Sequence, residues 1–225
     1  MKAIILQFVI TLTALLPIGS ANAATTLYTD ETAFLAALSS PPTLESFEGL
    51  TATNTRTLTS INTTLFDISM TGGPNNFIGV YDTAFNDIHA TAGTNFLVPA
   101  ADVIEPLEVT LLFSQSVSAF GLNINDFGDC CGSNNLTYAT NGGDSGIIAS
   151  SPLASGNELF FGIVTDASFN QFTLGISTDG RDGIGLDEFY VGAAVPAPAA
   201  FWLFGSALGI LGWVKRRGRT FGKST

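Results

Sequence analysis

The chain has 225 residues, of which 46 % are hydrophobic and 12 % charged, with 24 glycines and 18 phenylalanines. Nineteen Asp and Glu face eight Lys and Arg, a formal net charge of −11. So acidic a chain repels phosphate backbones and anionic surfaces, which argues against nucleic acid as a partner.

The first 23 residues, "MKAIILQFVITLTALLPIGSANA", place Lys2 before an apolar run and end on Ala21-Asn22-Ala23. A positive end, an apolar stretch and small residues at −3 and −1 form the layout of a secretory signal peptide. Passage through the Sec translocon and cleavage by signal peptidase after Ala23 are expected. Residues 24–194 are then read as one domain. All nineteen carboxylates fall in it against Arg56 and Arg181 alone, a net charge of −17. Divalent cations are natural counter-ions for such a surface.

Within that domain "DETAFLAALSS" predicts one short helix, with Asp30 as N-cap and Phe34, Leu35 and Leu38 at helical spacing. Strand-like runs follow at 43–48, 64–70, 76–82, 95–99, 107–113, 117–126, 136–140, 145–150, 159–165, 169–177 and 185–191. Turn signals separate them, among them Gly72-Gly73-Pro74, Asn141-Gly142-Gly143 and Asp179-Gly180. Eleven short strands at this spacing predict an all-β fold, a two-sheet β-sandwich of jelly-roll type.

Residues 195–219 read "VPAPAAFWLFGSALGILGWVKRRGR". Ala199–Val214 is uncharged and long enough to cross a bilayer as a C-terminal transmembrane helix, and Pro196 and Pro198 mark its start. Lys215, Arg216, Arg217 and Arg219 follow at once, which places the tail on the cytoplasmic side and the domain outside. The order Val195-Pro196-Ala197-Pro198, apolar helix and Lys215-Arg216-Arg217 resembles the PEP-CTERM sorting signal of Gram-negative bacteria. That resemblance implies an inner-membrane anchor held until an exosortase, a membrane cysteine protease-transpeptidase, cuts near the Pro motif and releases the domain to the cell surface or extracellular matrix. Ala197 departs from the Glu that gives the signal its name.

"AFLAAL…TLESFEG", "VSAFGLNINDFGD" and "FFGIVTDASFNQFTLGIS…GIGLDEFYVG" further resemble exported β-sandwich domains that often carry this signal. The likeness implies a lectin-like or carbohydrate-binding sandwich, with exopolysaccharide as the partner. In jelly-roll binding modules the first and last strands pair carboxylates around a structural Ca²⁺. By that resemblance Glu48 and Asp187, with Glu45, are the candidate ligands. Strand alternation puts Asp187 on one face with Phe189 and Val191, hence at the rim of the core. Asp126 and Asp129 form a second cation candidate.

Cys130 and Cys131 are the only cysteines. Export favours oxidation, to a vicinal disulfide or to bonds with other chains, with free thiols as the remaining state. Catalytic motifs are absent: there is no G-x-S-x-G, H-E-x-x-H or P-loop, and His89 is the lone histidine. A carboxylate pair for polysaccharide hydrolysis is not identified by spacing. The chain is therefore expected to be non-catalytic. Both tryptophans, Trp202 and Trp213, lie in the anchor, which leaves Tyr28, Tyr81, Tyr138 and Tyr190 as the tyrosines able to stack on a sugar.

Overall fold

The computed structural model describes residues 24–71, 76–101, 107–129, 134–177 and 183–194. The signal peptide, the 195–219 segment and the Cys130–Cys131 pair lie outside the described residues. Among those described, no helix is long and apolar enough to cross a membrane.

The chain folds as the expected β-sandwich. Among the described residues eleven strands run β1 (Thr25–Tyr28), β2 (Thr43–Glu45), β3 (Ser60–Asn62), β4 (Phe66–Thr71), β5 (Asn76–Tyr81), β6 (Phe96–Ala101), β7 (Leu107–Asn125), β8 (Asn135–Thr140), β9 (Ser145–Ser150), β10 (Glu158–Ser177) and β11 (Gly185–Gly192). The one described helix, α1 (Glu31–Ala36), begins where Asp30 accepts the Ala33 N–H at 2.8 Å, so the predicted N-cap is the observed one.

Two strands are longer than alternation suggests. Runs 107–113 and 117–126 form the single 19-residue β7, and runs 159–165 and 169–177 form the single 20-residue β10. Both cross from one layer to the other. Their first-layer pairing, Gln171–Ile176 with Leu107–Leu112, is flanked by β4 and β8, with β3 and β9 beyond. This is sheet I. Their second-layer pairing, Glu158–Val164 with Ala119–Asn125, is flanked by β11 and β1; β2 and β6 share the far side of β11, and β5 pairs with β6. This is sheet II. A register shift between Val164 and Gln171 lies at the crossing. The core-facing positions of β7 change there from odd (107, 109, 111, 113) to even (120, 122, 124), while Ala119, Gly121 and Asn125 are buried on the covered outer face. The strand thereby keeps its apolar side on the core after it bends.

Phenylalanines fill the space between the layers. Phe66 of sheet I stacks on Phe189 of sheet II at 5.5 Å, and Phe172 meets Phe120 at 4.7 Å and Phe161 at 5.9 Å. Tilted and edge-on ring pairs add to the burial of these large side chains. β2, in "TLESFEG", pairs with the last strand, Leu44 opposite Tyr190.

A second apolar cluster lies on the outer face of sheet II. Phe34 of α1 packs there with Leu38, Ala119 and Tyr190. Its ring sits in a pit floored by Gly121 and Gly162, which are register partners in β7 and β10. A Cβ at Gly162 would come within 2.6 Å of the Phe34 ring, and one at Gly121 within 3.0 Å. The pit exists because these two positions have no side chain.

Candidate functional site

Residues 82–95, between β5 and β6, form a strap across the outer face of sheet II. Ile88 buries its side chain with Tyr81, Phe96 and Val98 beneath it. At its outer end Phe85 and Ile88 exchange backbone hydrogen bonds at 2.9 and 3.0 Å around Asn86 and Asp87, both at positive φ (48° and 68°). This is a two-residue hairpin turn of the kind that favours Asn and Asp.

Four polar side chains fasten the strap. Asn54 donates to Asp82 Oδ1 at 2.7 Å. Asn125, fully buried, accepts the His89 N–H at 3.2 Å and donates to the His89 carbonyl at 2.6 Å. Asp187 Oδ2 accepts from Thr91 N (2.9 Å), Thr91 Oγ1 (3.0 Å) and Ala92 N (3.1 Å), while its Oδ1 accepts from Glu188 N (2.8 Å). Glu48 Oε1 accepts from Thr94 N (2.6 Å) and Asn95 N (2.8 Å). Gly93, at φ 65°, lies so close to that carboxylate that a Cβ would collide with it.

The predicted carboxylates are therefore placed as follows. Asp187 is fully buried, but on the outer face of sheet II rather than beside Phe189 and Val191. A register shift between Asp187 and Tyr190, with Glu188 at φ 48°, inserts one residue into β11. Asp187 thus pairs with Asn123, Phe189 turns into the core and Tyr190 returns to the outer face. The bulge reverses the alternation on which the shared-face expectation rested. Glu48 and Asp187 do act on one feature, the strap, from two sides. Glu45 is separate and accepts its own chain's Phe47 N–H at 2.9 Å, which stabilises the left-handed turn at Phe47 (φ 60°). Among the described residues no three His, Cys, Asp or Glu are grouped to hold a metal ion. The atoms facing Asp187 are N–H and O–H donors, the surroundings of a buried anion.

Burial pushes the Asp187 carboxyl above the usual carboxylate range, and its N–H donors pull it back. The two N–H donors hold the Glu48 carboxyl below that range. Beside the strap, Glu188 is raised by burial and by Glu31 and Asp187 nearby. It shares the Asn123 amide with Glu31, at 2.9 and 3.5 Å, and Tyr190 donates to Glu31 at 2.7 Å.

The hairpin turn forms one wall of an open cleft of about 630 Å³, lined by Ala84, Asn86, Asp87 and His89 and, opposite, by Ser155 and Gly156. Two bonds cross between the walls. Ser155 donates to Asp87 Oδ2 at 2.8 Å, and His89 Nε2 lies 3.2 Å from Glu158 Oε1. His89 Nδ1 is 2.7 Å from the Asp87 carbonyl. Behind the cleft Asp126, buried and at φ 60°, accepts the Gly156 N–H at 2.7 Å. Its carboxyl is raised by burial and by Asp129 and Asp87; Asp129 itself is exposed.

No described aromatic ring is exposed. Tyr81, Tyr138 and Tyr190 are buried and Tyr28 is half-buried against Phe34, so none offers a flat stacking platform. The side chains that line the cleft carry hydrogen-bonding groups instead. Sequence reasoning missed its turn, although Asn86-Asp87 between Phe85 and Ile88 is a hairpin signal.

No protein-family profile matches the chain, and no curated protein matches it. Among solved structures it is similar to the TmCBM61 module in complex with β-1,4-galactotriose, at 12 % identity over 55 % of this chain and 86 % of that one, TM-score 0.39. It is also similar to the xylan-binding domain from CBM 22, at 10 % identity over 71 % and 96 %, TM-score 0.37. The enzymatically active domain of bacteriophage CBA120 tailspike protein 4 matches at 12 % identity and TM-score 0.36 over 58 % of this chain, which spans only 20 % of that chain. At these TM-scores the likeness carries no functional argument.

Proposed function

We propose that this chain is an exported, non-catalytic binding protein whose cleft between the strap and Ser155–Gly156 takes a hydroxyl-rich ligand, an exopolysaccharide outside the cell. The cleft carries this reading. Asn86, Asp87, His89 and Ser155 present amide, carboxylate, imidazole and hydroxyl groups at an opening of about 630 Å³, held by a strap that Asn125, Asp187 and Glu48 fasten. Sugar hydroxyls both donate and accept, and such groups match them without a stacking ring.

A glycan array probed with the exported protein tests it. Asp87→Ala and Ser155→Ala each remove a bond that crosses the cleft and are expected to weaken binding about tenfold, the worth of one hydrogen bond to a charged group. Unchanged binding in both, or no glycan bound at all, would overturn the reading. Because N–H donors occupy Asp187 and Glu48, binding is expected to survive removal of calcium; its loss on chelation would restore calcium as a ligand of this domain.

The chain ends supply the proposed route: Sec export, cleavage after Ala23, an inner-membrane anchor and release by an exosortase near Pro196–Pro198. Intact-mass measurement of surface material checks this route, and a mature species still carrying Trp202 to Arg219 would exclude cleavage.

A further inference from the structure

We propose that His89 and Glu158 form a proton-operated latch that closes the cleft from the strap side. The regulatory part rests on the cleft being a binding site; the latch itself does not.

The chemistry follows from the two ring nitrogens. Nδ1 faces the Asp87 carbonyl at 2.7 Å, an acceptor only, so it carries a proton in either charge state. In the neutral ring the proton on Nδ1 leaves Nε2 as a bare lone pair, and that lone pair faces the Glu158 carboxylate at 3.2 Å. Two acceptors then oppose each other. In the protonated ring both nitrogens donate, and the pair becomes an ion pair across the cleft. The backbones of both residues are fixed, while the Glu158 side chain is 64 % exposed. The His89 backbone is held on both sides by Asn125, and Glu158 opens β10 in register with Asn125.

The charged groups around His89 act in one direction. From the strap comes the Asp87 carbonyl, whose carboxylate is engaged by Ser155; from β10, Glu158; from the end of β7, Asp126, with Asp129 beyond it. The nearest described cation on the strap side, Arg56, lies over the Phe85 ring at 5.2 Å. The Asp87 carbonyl first, then Glu158, hold the His89 pKa above its ordinary value. A raised pKa in the folded state means that the latch contributes fully below the unfolded value. Its contribution is lost as pH rises through the folded one. The cleft is therefore fastened below the histidine's unfolded-state pKa and loosened as pH rises through its raised folded value.

His89 is the chain's one histidine, so its ring protons give a single NMR titration in the intact exported protein. The expected midpoint lies above that of a free histidine. Glu158→Gln should lower it by about half a pH unit, the scale of a partly exposed ion pair. Amide exchange at Thr91 and Ala92, corrected for the intrinsic rate, should be slower below the midpoint. In His89→Gln, whose neutral amide donates at every pH, that dependence should vanish. A midpoint unmoved by Glu158→Gln, or strap protection that ignores the histidine titration, would overturn the latch. Both are measured without ligand, so a failed glycan array removes the binding reading and leaves this result standing. If glycan binding holds, its dissociation should slow severalfold below the midpoint; an unchanged rate would overturn the regulatory part.

Discussion

The outer face of sheet II lies under α1 and the strap, while the outer face of sheet I lies open. On sheet I a cross-strand row runs Ser60, Ser69, Thr110, Thr173, Ala139 and Ser145, with Leu112 49 % and Ile147 61 % exposed beside it. On sheet II the equivalent surface carries paired glycines, a buried Asn125 and a fully buried Asp187. The open face uses small side chains whose hydroxyls meet water or one another, as Thr110 and Thr173 do at 3.4 Å. The covered face needs special residues wherever another segment lands: no side chain where Phe34 enters, and a carboxylate or amide where backbone N–H groups of the strap arrive. One sandwich thus shows what covering a sheet demands of its sequence.

The largest effect should come from uncovering the pit. Phe34→Ala leaves Gly121 and Gly162 facing a void and should destabilise by about 3–4 kcal/mol. Gly162→Ala attacks the same contact from below, with a Cβ 2.6 Å from the ring, and should cost about 1–3 kcal/mol. Denaturant midpoints at unchanged slope measure both. If the two losses add fully in the double variant, the ring and the pit are not one contact.

Next comes the strap. Asp187→Asn keeps the shape but turns an N–H₂ toward groups that donate to the carboxylate, leaving buried donors unpaired. A loss of about 2–3 kcal/mol is expected, roughly 5–10 °C in melting temperature. Amide exchange should accelerate at Thr91 and Ala92 before it does in β7 or β10. Uniform acceleration would mean that Asp187 holds the sheet rather than the strap.

Legibility in the sequence follows the same division. The helix could be read because Asp30 and the spacing of Phe34, Leu35 and Leu38 are local signals, and the strands could be read because their alternation is local. The continuity of β7 and β10 could not. The polar residues Ser114–Ser116 separate the two runs in the sequence, but this is where β7 bends between layers while staying extended. The fate of Asp187 was hidden twice. One inserted residue at Glu188 reversed its face, and its donors Thr91 and Ala92 lie 96 and 95 positions away. Glu48 was singled out as a calcium ligand; the contacts it makes in the structure, with the Thr94 and Asn95 N–H groups, depend on a loop that only the fold brings there.

Acidity should separate the faces further. Asp187, Glu188 and Asp126, all on or beside the covered face, have folded pKa values raised chiefly by burial. A raised carboxylate stabilises relative to the unfolded chain below its unfolded pKa, and that contribution is lost as pH rises through its folded value. Glu48 runs the other way: its lowered pKa stabilises above the unfolded value and is lost on acidification through the folded one. With three raised groups against one lowered, the melting temperature should climb as pH falls through the raised folded values of Asp187, Glu188 and Asp126. Glu188→Gln should flatten that climb and raise stability at pH 7, since it removes the repulsion with Glu31 and Asp187. A steeper climb in the variant would show that the repulsion is not the cause.

The smallest effect is expected on the open face, and it completes the contrast. Leu112→Ser and Ile147→Ser replace aliphatic side chains that keep 49 % and 61 % of their surface in water, so folding buries only part of each. Each also keeps a short side chain like its Ser and Thr neighbours. Changes within about 0.5 kcal/mol are expected from chemical denaturation, against several for Phe34→Ala. Leu112 is the more demanding case. It lies opposite Asp67 and Gln171 in the middle of sheet I, where cross-strand contact is closest, whereas Ile147 stands on the edge strand β9. The loss at Leu112 should therefore exceed that at Ile147. If either variant lost more than about 1.5 kcal/mol, its side chain would have to be covered in the folded protein, and sheet I would have no open face at that position.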